Sequence, residues 1–522
     1  MIVKEIHFGD DGQKKLKSGI KKIAGAVKST MGARGRTVLI ESENHIGGIT
    51  VTKDGVTVAR SINLYDPTEN LAVMMMRQAA DRTAVVAGDG TTTAIVLAES
   101  IIDNSDNIID SSDNITEVIR EINDISNKIS QRLTKMSKKL SGKKLLDVAT
   151  ISANNDREIG KMISDAFNEV SVVTVENSQT PNTHVEIISG MKIDRGFSSK
   201  YFITDQKKQE CILENPYVLI TDHDISNILN IEKVIAHVIS TNRSLLIIGE
   251  LSPSALNTLN LNVIQGKIKA CNIMPPSFGY RSKDLLFDLS VSLGGTYFSE
   301  DTGDDLSLVE VEDLGRASRV IVSKDMTLFM PMDDTADAVK KNIDILKESI
   351  NETNDINEKN FINERIANMS GGIGVIYVGA LSDIEQKEKK DRIDDAVCAV
   401  KAALEDGVLP GGGIALMDAF DLEFPDVSTT AQKIMMTVVS SPFRQIVNNA
   451  GKDSNLILEN MPLGRNIGYD VKNECYGDMI SLGIIDPTKV TRNALMNAVS
   501  VATTIMSTDA IITNVRDYES SK

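Results

Sequence analysis

The 522-residue chain contains no tryptophan, and aromatic residues make up only 4% of it. That scarcity argues against broad aromatic surfaces for anchoring partners. Cysteine is equally sparse. Cys211, Cys271, Cys398 and Cys475 are scattered, with no C-x-x-C pair, so neither a disulfide framework nor a zinc site is indicated. The histidines at His7, His45, His184, His223 and His237 are just as dispersed. No apolar run reaches transmembrane length, and residues 1–8 show neither a secretory-signal layout nor the arginine-rich look of a transit peptide. The expected setting is a reducing cytoplasm, without a membrane. The net charge of −17 argues against nucleic acid as a partner. Two common nucleotide motifs are also missing. G-x-x-x-x-G-K-[ST] occurs nowhere, and Gly372-Ile-Gly374 lacks the dinucleotide spacing and precedes a strand.

What is present is the composition of a globular protein, 41% apolar and 25% charged, in a chain too long for a single core. Residues up to about 134 read as mainly helical. Leu16, Ile20, Ile23 and Val27 make one face; Leu71, Met74, Met75 and Ala79 make another, behind an Asp66-Pro67 start signal. One hairpin interrupts them, with Thr37–Ile40 and Ile49–Thr52 around a Gly47-Gly48 turn. Between 190 and 373 the pattern becomes α/β. Short apolar runs at Tyr217–Ile220, Leu245–Ile248 and Val320–Val322 alternate with helical segments. From 383 onward helix returns, with Ile393, Val397, Val400 and Leu404 in register. Helical sequence thus brackets an α/β insert, flanked by the hinge candidates Gly190, Gly371 and Gly372, with Gly407 at a further junction. The charged stretch 340–365 reads as a solvated helical face.

The richest chemistry lies in Gly88-Asp-Gly-Thr-Thr-Thr-Ala94, between two helical patterns. Its glycines permit a sharp turn, the helix that begins at Thr91 aims unpaired N–H groups at that turn, and three hydroxyls add donors. Asp89 is out of place beside an anion unless a cation such as Mg²⁺ lies between them. An ordinary polar helix–turn–helix corner is the competing reading. Thr30-Met-Gly-Ala-Arg-Gly35, with Arg34 and Arg36, resembles a helix C-cap as much as a phosphate loop. Lys53-Asp54-Gly55 is a tight turn. Asp394-Asp395 reads either as a solvated pair on a helix or, because Ile393 and Ala396-Val397 flank it, as a pair with one carboxylate near the packed edge, where it could act on water.

Taken in order, these elements closely resemble the group I chaperonins, the GroEL family. Thr52-Lys-Asp-Gly55, Gly88–Ala94, Thr150-Ile-Ser-Ala-Asn154, Asp194-Arg-Gly196, Glu312-Asp-Leu-Gly315, Gly411-Gly-Gly413 and Asp486-Pro-Thr-Lys-Val-Thr-Arg492 carry the likeness nearly end to end. The resemblance implies a multidomain fold: a mainly α-helical equatorial ATPase domain (1–134 and 406–522), a small α+β intermediate domain (135–189 and 374–405) and an inserted α/β apical domain (190–373). It implies ATP, Mg²⁺ and K⁺, a homo-oligomeric heptameric ring, single or double, unfolded protein substrates and a co-chaperonin lid. Asp89 would hold the metal. Thr30 and Gly32 would contact the phosphates and the base-proximal region, Lys53 would lie near the monovalent cation, Gly90, Thr91, Thr92 and Thr93 would cradle the phosphates, and Gly412, Ile484 and Asp486 would line the adenosine. Asp54 and Asp395 would act on the attacking water. Phe197, Tyr201, Phe202, Ile235, Leu256 and Leu261 would supply an exposed apical groove for substrate and lid. Ser198, Glu232 and Asn260 make that groove more polar than is usual in the family.

Overall fold

The computed structural model describes residues 4–41, 49–110, 113–140, 142–153, 156–170, 172–206, 208–277, 279–352 and 356–514. The expected Gly47-Gly48 turn and Asn154 lie outside them. The chain divides into two compact units: Met1–Ala166, Thr174–Val185 and Ile376–Lys522 form the first, and Phe167–Val173 with Glu186–Val375 the second.

The first unit is built on long amphipathic helices. In Gly9–Lys28 the 3–4 spacing puts Leu16, Ile20, Ile23 and Val27 on the buried face. This helix packs on Pro67–Ala87 and Thr91–Ile108, and Ile115–Met136, Thr430–Asn449 and Thr488–Met506 complete the same core. Asp66 caps Pro67–Ala87 by accepting from the backbone N–H groups of Thr68 (2.8 Å) and Glu69 (3.2 Å). The buried face of that helix is set by Ala72, Val73, Met76, Ala79 and Ala80, while Met74 is exposed. The sequence reading placed Met74 inside. Close approach over alanines selects a face turned away from it. Leu404, also expected inside, is exposed on Asp383–Asp406, where Ile393, Val397 and Val400 are buried. Two small antiparallel ladders flank the helices: Lys4–Phe8 with Ala510–Asn514, and Val38–Glu41 with Ile49–Thr52.

The second unit holds an eight-stranded mixed sheet. Lys269–Ile273, Ser244–Leu251 and Tyr217–Ile225 run parallel to one another, and Gly315–Val322, Thr327–Pro331 and Met191–Ile193 continue the order antiparallel. Uninterrupted apolar runs such as Leu245–Ile248 are buried along their whole length, as strands covered on both faces require. Charged residues 340–365 fall on Ala336–Glu352 and Ile356–Ser370, and they are not all solvated. Arg365 is buried and grips the fully buried Asp288 with a two-pronged pair of bonds, Nε to Oδ2 at 2.7 Å and Nη2 to Oδ1 at 2.9 Å. Asn342 donates to the same carboxylate at 2.9 Å. Periodicity alone does not reveal a charge whose partner lies 77 positions away.

Candidate functional site

The first unit encloses a cavity of about 640 Å³, the size range of a small-ligand site. Its walls gather residues from distant parts of the chain. Thr30 and Gly32 come from the end of the first helix, Lys53 and Asp54 from the hairpin, and Asp89, Gly90, Thr91, Thr92 and Thr93 from the glycine–threonine loop. Asp395 comes from Asp383–Asp406, and Gly412, Ile484 and Asp486 from the C-terminal part. All the residues expected at a nucleotide, its metal or its attacking water therefore line one cavity.

Local chemistry explains how they arrive there. Gly88 ends one helix at φ 73° and Gly90 starts the next at φ 83°, left-handed values that a side chain resists. The turn is also crowded, since a Cβ on Gly88 would run into Cys398 and one on Gly90 would meet Val490. Asp54 caps the short helix Gly55–Ser61. Its Oδ1 accepts from Val56 N–H (3.0 Å), and its Oδ2 from Thr57 N–H (3.0 Å) and the Thr57 hydroxyl (2.6 Å). A Cβ at Gly55 would run into the Thr92 hydroxyl, so the hairpin turn sits directly on the threonine loop. That contact brings Asp54 up to Asp89. The Thr30 hydroxyl donates to Val27 O at 2.8 Å, closing its helix. Arg34 is turned to Glu474, with Nη2 to Oε1 at 3.1 Å, and is not part of the wall.

The electrostatics are lopsided. Eight carboxylates (Asp54, Asp89, Asp147, Glu388, Asp391, Asp395, Asp470, Asp486) face four basic side chains (Lys53, Arg157, Arg392, Lys472). Burial pushes the Asp89 carboxyl up, and neighbouring Asp54 adds to the rise against the Gly90 N–H that favours its charge. Burial raises Asp395 well above the usual carboxylate range, with Asp54, Asp89, Asp391 and Asp394 all repelling its charge. Asp486 is pushed up to about 7 by burial, then by Asp89. Among the described residues no group of three or more His, Cys, Asp or Glu side chains is placed to hold a metal alone. One or two carboxylates together with ligand phosphates and water fit the hard, oxygen-loving Mg²⁺, and such an ion would relieve the repulsion recorded here.

With that geometry in hand, comparison with known proteins is decisive. The model of the TCP-1/cpn60 chaperonin family matches residues 23–516. The chain belongs to that family. It is thus an ATP-dependent chaperonin that assists protein folding, with the multidomain helical and α/β organisation expected. The chaperonin is similar in fold to gp146, a chaperonin from the bacteriophage EL 2 (Pseudomonas aeruginosa), crystallised in the presence of ATP-BeFx. In crystal form II the TM-score is 0.66 at 23% identity, covering 98% of this chain and 99% of that one. In form I the TM-score is 0.62 at 22% identity, with the same coverage.

Apart from Gly407 in the first unit, the remaining expected residues lie in the second unit of the chaperonin. Tyr201 and Leu261 are exposed, and Phe197, Ile235 and Leu256 are half-buried against the core. Phe202 is buried, which corrects its assignment to an exposed groove: it packs inward from the turn Lys200–Phe202 as part of the core. Of the three polar replacements, only Glu232 is exposed. Ser198 donates to the side chain of Asn272, and Asn260 is buried with its Oδ1 unpartnered. Gly190 N–H donates to Gly371 O at 3.2 Å, Gly372 opens the strand Gly372–Val378, and Gly407 closes Asp383–Asp406. The sequence reading missed Asp147, Arg157, Glu388, Asp391 and Arg392 as cavity residues. For three of them a signal was available: 388, 391, 392 and 395 share one helical face. No helix among the described residues is long and apolar enough to cross a membrane.

Proposed function

We propose that this chaperonin hydrolyses ATP in the cavity of its first unit and uses the cycle to fold captured polypeptides. The observation that carries this reading is the convergence of Asp54, Asp89 and Asp395, from three separate segments, on one desolvated cavity beside a threonine-rich helix N-terminus. In this reading 1–134 and 406–522 form the equatorial ATPase domain, 135–189 and 374–405 the intermediate domain, and 190–373 the apical domain. Gly190, Gly371, Gly372 and Gly407 are the hinge positions.

The backbone N–H groups at the start of Thr91–Ile108 and the hydroxyls of Thr91, Thr92 and Thr93 hold the phosphates. Asp89 is the residue that would hold Mg²⁺, which when bound neutralises phosphate charge; Lys53 lies beside the place proposed for K⁺. Asp54, fixed by three hydrogen bonds, orients the attacking water. Asp395 takes the proton from that water as its oxygen bonds the terminal phosphorus and the bond to the leaving diphosphate breaks. A carboxyl raised toward the working pH suits a general base. Phosphoryl transfer needs positioning and charge neutralisation more than covalent help, and the cavity supplies both. Asp486 receives the ribose hydroxyls, while Thr30, Gly32, Gly412 and Ile484 close around the rest of the nucleotide.

The proposed assembly is a cytoplasmic heptameric ring, single or double. Its support is a pair of open ladder edges. Ile6 pairs with Ile512 on a two-stranded sheet where Ile6, Phe8 and Ile512 are exposed, and Leu39 and Ile49 are exposed on the hairpin. Such edges invite strand pairing with another copy. The double variant Leu39→Lys/Ile512→Lys is expected to shift the protein from ring to subunit in mass photometry, with helicity unchanged by circular dichroism. A ring that persists at the wild-type mass rejects this interface.

Unfolded chains, and a co-chaperonin lid, would dock at the apical surface containing Tyr201, Leu261, Phe197, Ile235 and Leu256. The test is recovery of a chemically denatured enzyme on adding this protein and ATP, without a lid, against ADP and Asp395→Ala controls. ATP-dependent recovery lost in the variant is expected. Equal recovery with ADP overturns the proposal.

A further inference from the structure

We infer that Asn449 is a positioning residue for nucleotide binding: it holds the peptide plane between Met31 and Gly32 so that the Gly32 N–H is presented to the ligand. The inference rests on reading the cavity as the nucleotide site and adds a residue from outside its wall that sets the affinity.

The loop that follows the helix Gly9–Lys28 forms part of the cavity wall through Thr30, Met31, Gly32 and Ala33. Its first donors are already used. The Thr30 N–H donates to Val27 O at 3.1 Å, the Thr30 hydroxyl donates to the same carbonyl at 2.8 Å, and the Met31 N–H donates to Lys28 O at 3.2 Å. The Gly32 N–H has no partner among the described residues, although Gly32 lines the cavity. A backbone donor left free on an anion-binding wall is available to a ligand oxygen.

Asn449 ends the helix Thr430–Asn449 and is not part of the cavity wall. Its Nδ2 donates to Lys28 O and to Met31 O, both at 2.8 Å, and its Oδ1 accepts from Gln445 Nε2 at 2.7 Å. These three bonds fix the amide orientation, because the reverse assignment would set its oxygen against two carbonyls. The peptide unit joining Met31 to Gly32 is rigid, planar and trans, so its C=O and N–H point in opposite directions. Holding the Met31 carbonyl therefore also holds the Gly32 N–H, aimed away from Asn449.

Two neighbours complete the frame. Ile446, three residues earlier on the same helical face, backs Gly32: a Cβ there would lie 3.0 Å from Ile446 Cγ2, and the glycine takes φ 83°. Lys28 Nζ bonds both oxygens of the buried Glu99, at 2.8 and 2.9 Å. Glu99 lies on Thr91–Ile108, the helix that begins with the threonine loop. Asn449 and Glu99 thus hold one loop from two helices, and the Gly32 N–H keeps a fixed distance from the Thr91–Thr93 donors. Without Asn449 two carbonyls lose a donor, and a nucleotide has to order the Met31–Gly32 unit as it binds. The loop meets ligand before and during hydrolysis alike, so its loss falls on binding and not on chemistry.

The test is steady-state ATP turnover and ADP titration calorimetry on full-length wild type and variants, with the melting temperature of each nucleotide-free protein. Asn449→Ala is expected to raise KM for ATP and the ADP dissociation constant by roughly 10-fold while kcat stays within about twofold. Asn449→Asp, of the same shape with the donors replaced by oxygen, should bind as weakly. Gln445→Ala keeps both donors and loosens only their orientation, so a rise of about threefold is expected. That milder variant carries the test if the Asn449 variants do not fold. A lower melting temperature with KM unchanged, a loss confined to kcat, or wild-type affinity in Asn449→Asp overturns the inference. Wild type that binds ADP without hydrolysing ATP would remove the hydrolysis reading alone and leave the ADP comparison in force. Wild type that binds no nucleotide would remove both.

Discussion

Asp395→Ala is expected to lower steady-state ATP turnover by about 10²-fold or more while ADP affinity stays within roughly threefold, the pattern of a lost general base. The reason lies in what surrounds the carboxylate. Asp395 is desolvated, and the like charges of Asp54, Asp89, Asp391 and Asp394 add to the rise, so its proton is held well above the usual range. That places it near the task of accepting a proton from water, without making it a determinant of nucleotide binding. Single-turnover and steady-state rates, read together with ADP titrations, check the result. A parallel loss of affinity would mean that the side chain binds rather than reacts.

The same environment predicts a pH-dependent stability effect in the nucleotide-free protein. The folded-state value of Asp395 is raised, so as pH climbs past the unfolded value the unfolded chain releases its proton first. Stability is then lost progressively until the folded value is passed. Asp395→Asn removes that loss. Its gain in melting temperature over wild type should therefore be larger at pH 8 than at pH 5, while its turnover falls like that of Asp395→Ala. A constant difference across that range would show that the carboxyl is not strained by its neighbours.

Arg365→Ala is expected to destabilise the second unit by about 3–5 kcal/mol, because it strands a buried charge. Asp288 is fully buried and takes two bonds from the guanidinium and one from Asn342. Removing the arginine leaves a carboxylate with one neutral donor, and its proton uptake only partly offsets the cost. Replacing both partners by apolar residues of similar volume, Asp288→Leu with Arg365→Met, should restore most of the lost stability. Denaturant titration followed by limited proteolysis checks both variants. The second unit has its own core, so ADP binding in the first should persist in Arg365→Ala. If the double variant is as unstable as the single one, the pair is needed for its geometry and not for charge balance.

Helix faces, covered strands and the turns of the loops are legible in neighbouring residues. Leu16, Ile20, Ile23 and Val27 report a helix face because burial repeats every three to four residues. The Leu245–Ile248 run reports a covered strand because both faces need apolar side chains. Asp66, Asp54 and the Gly88–Thr93 segment are legible because caps and positive-φ turns are decided by a few neighbouring residues. Tertiary structure alone decided which carboxylates meet. The Asp288–Arg365 pair, the inward turn of Phe202, the exposure of Met74 and Leu404, and the arrival of Asp147 beside Gly483 all depend on partners far away in the chain. The physical reason is the same throughout. Backbone geometry and capping are short-range and written in adjacent residues, whereas desolvation and charge repulsion depend on whatever the folded chain brings within a few ångströms.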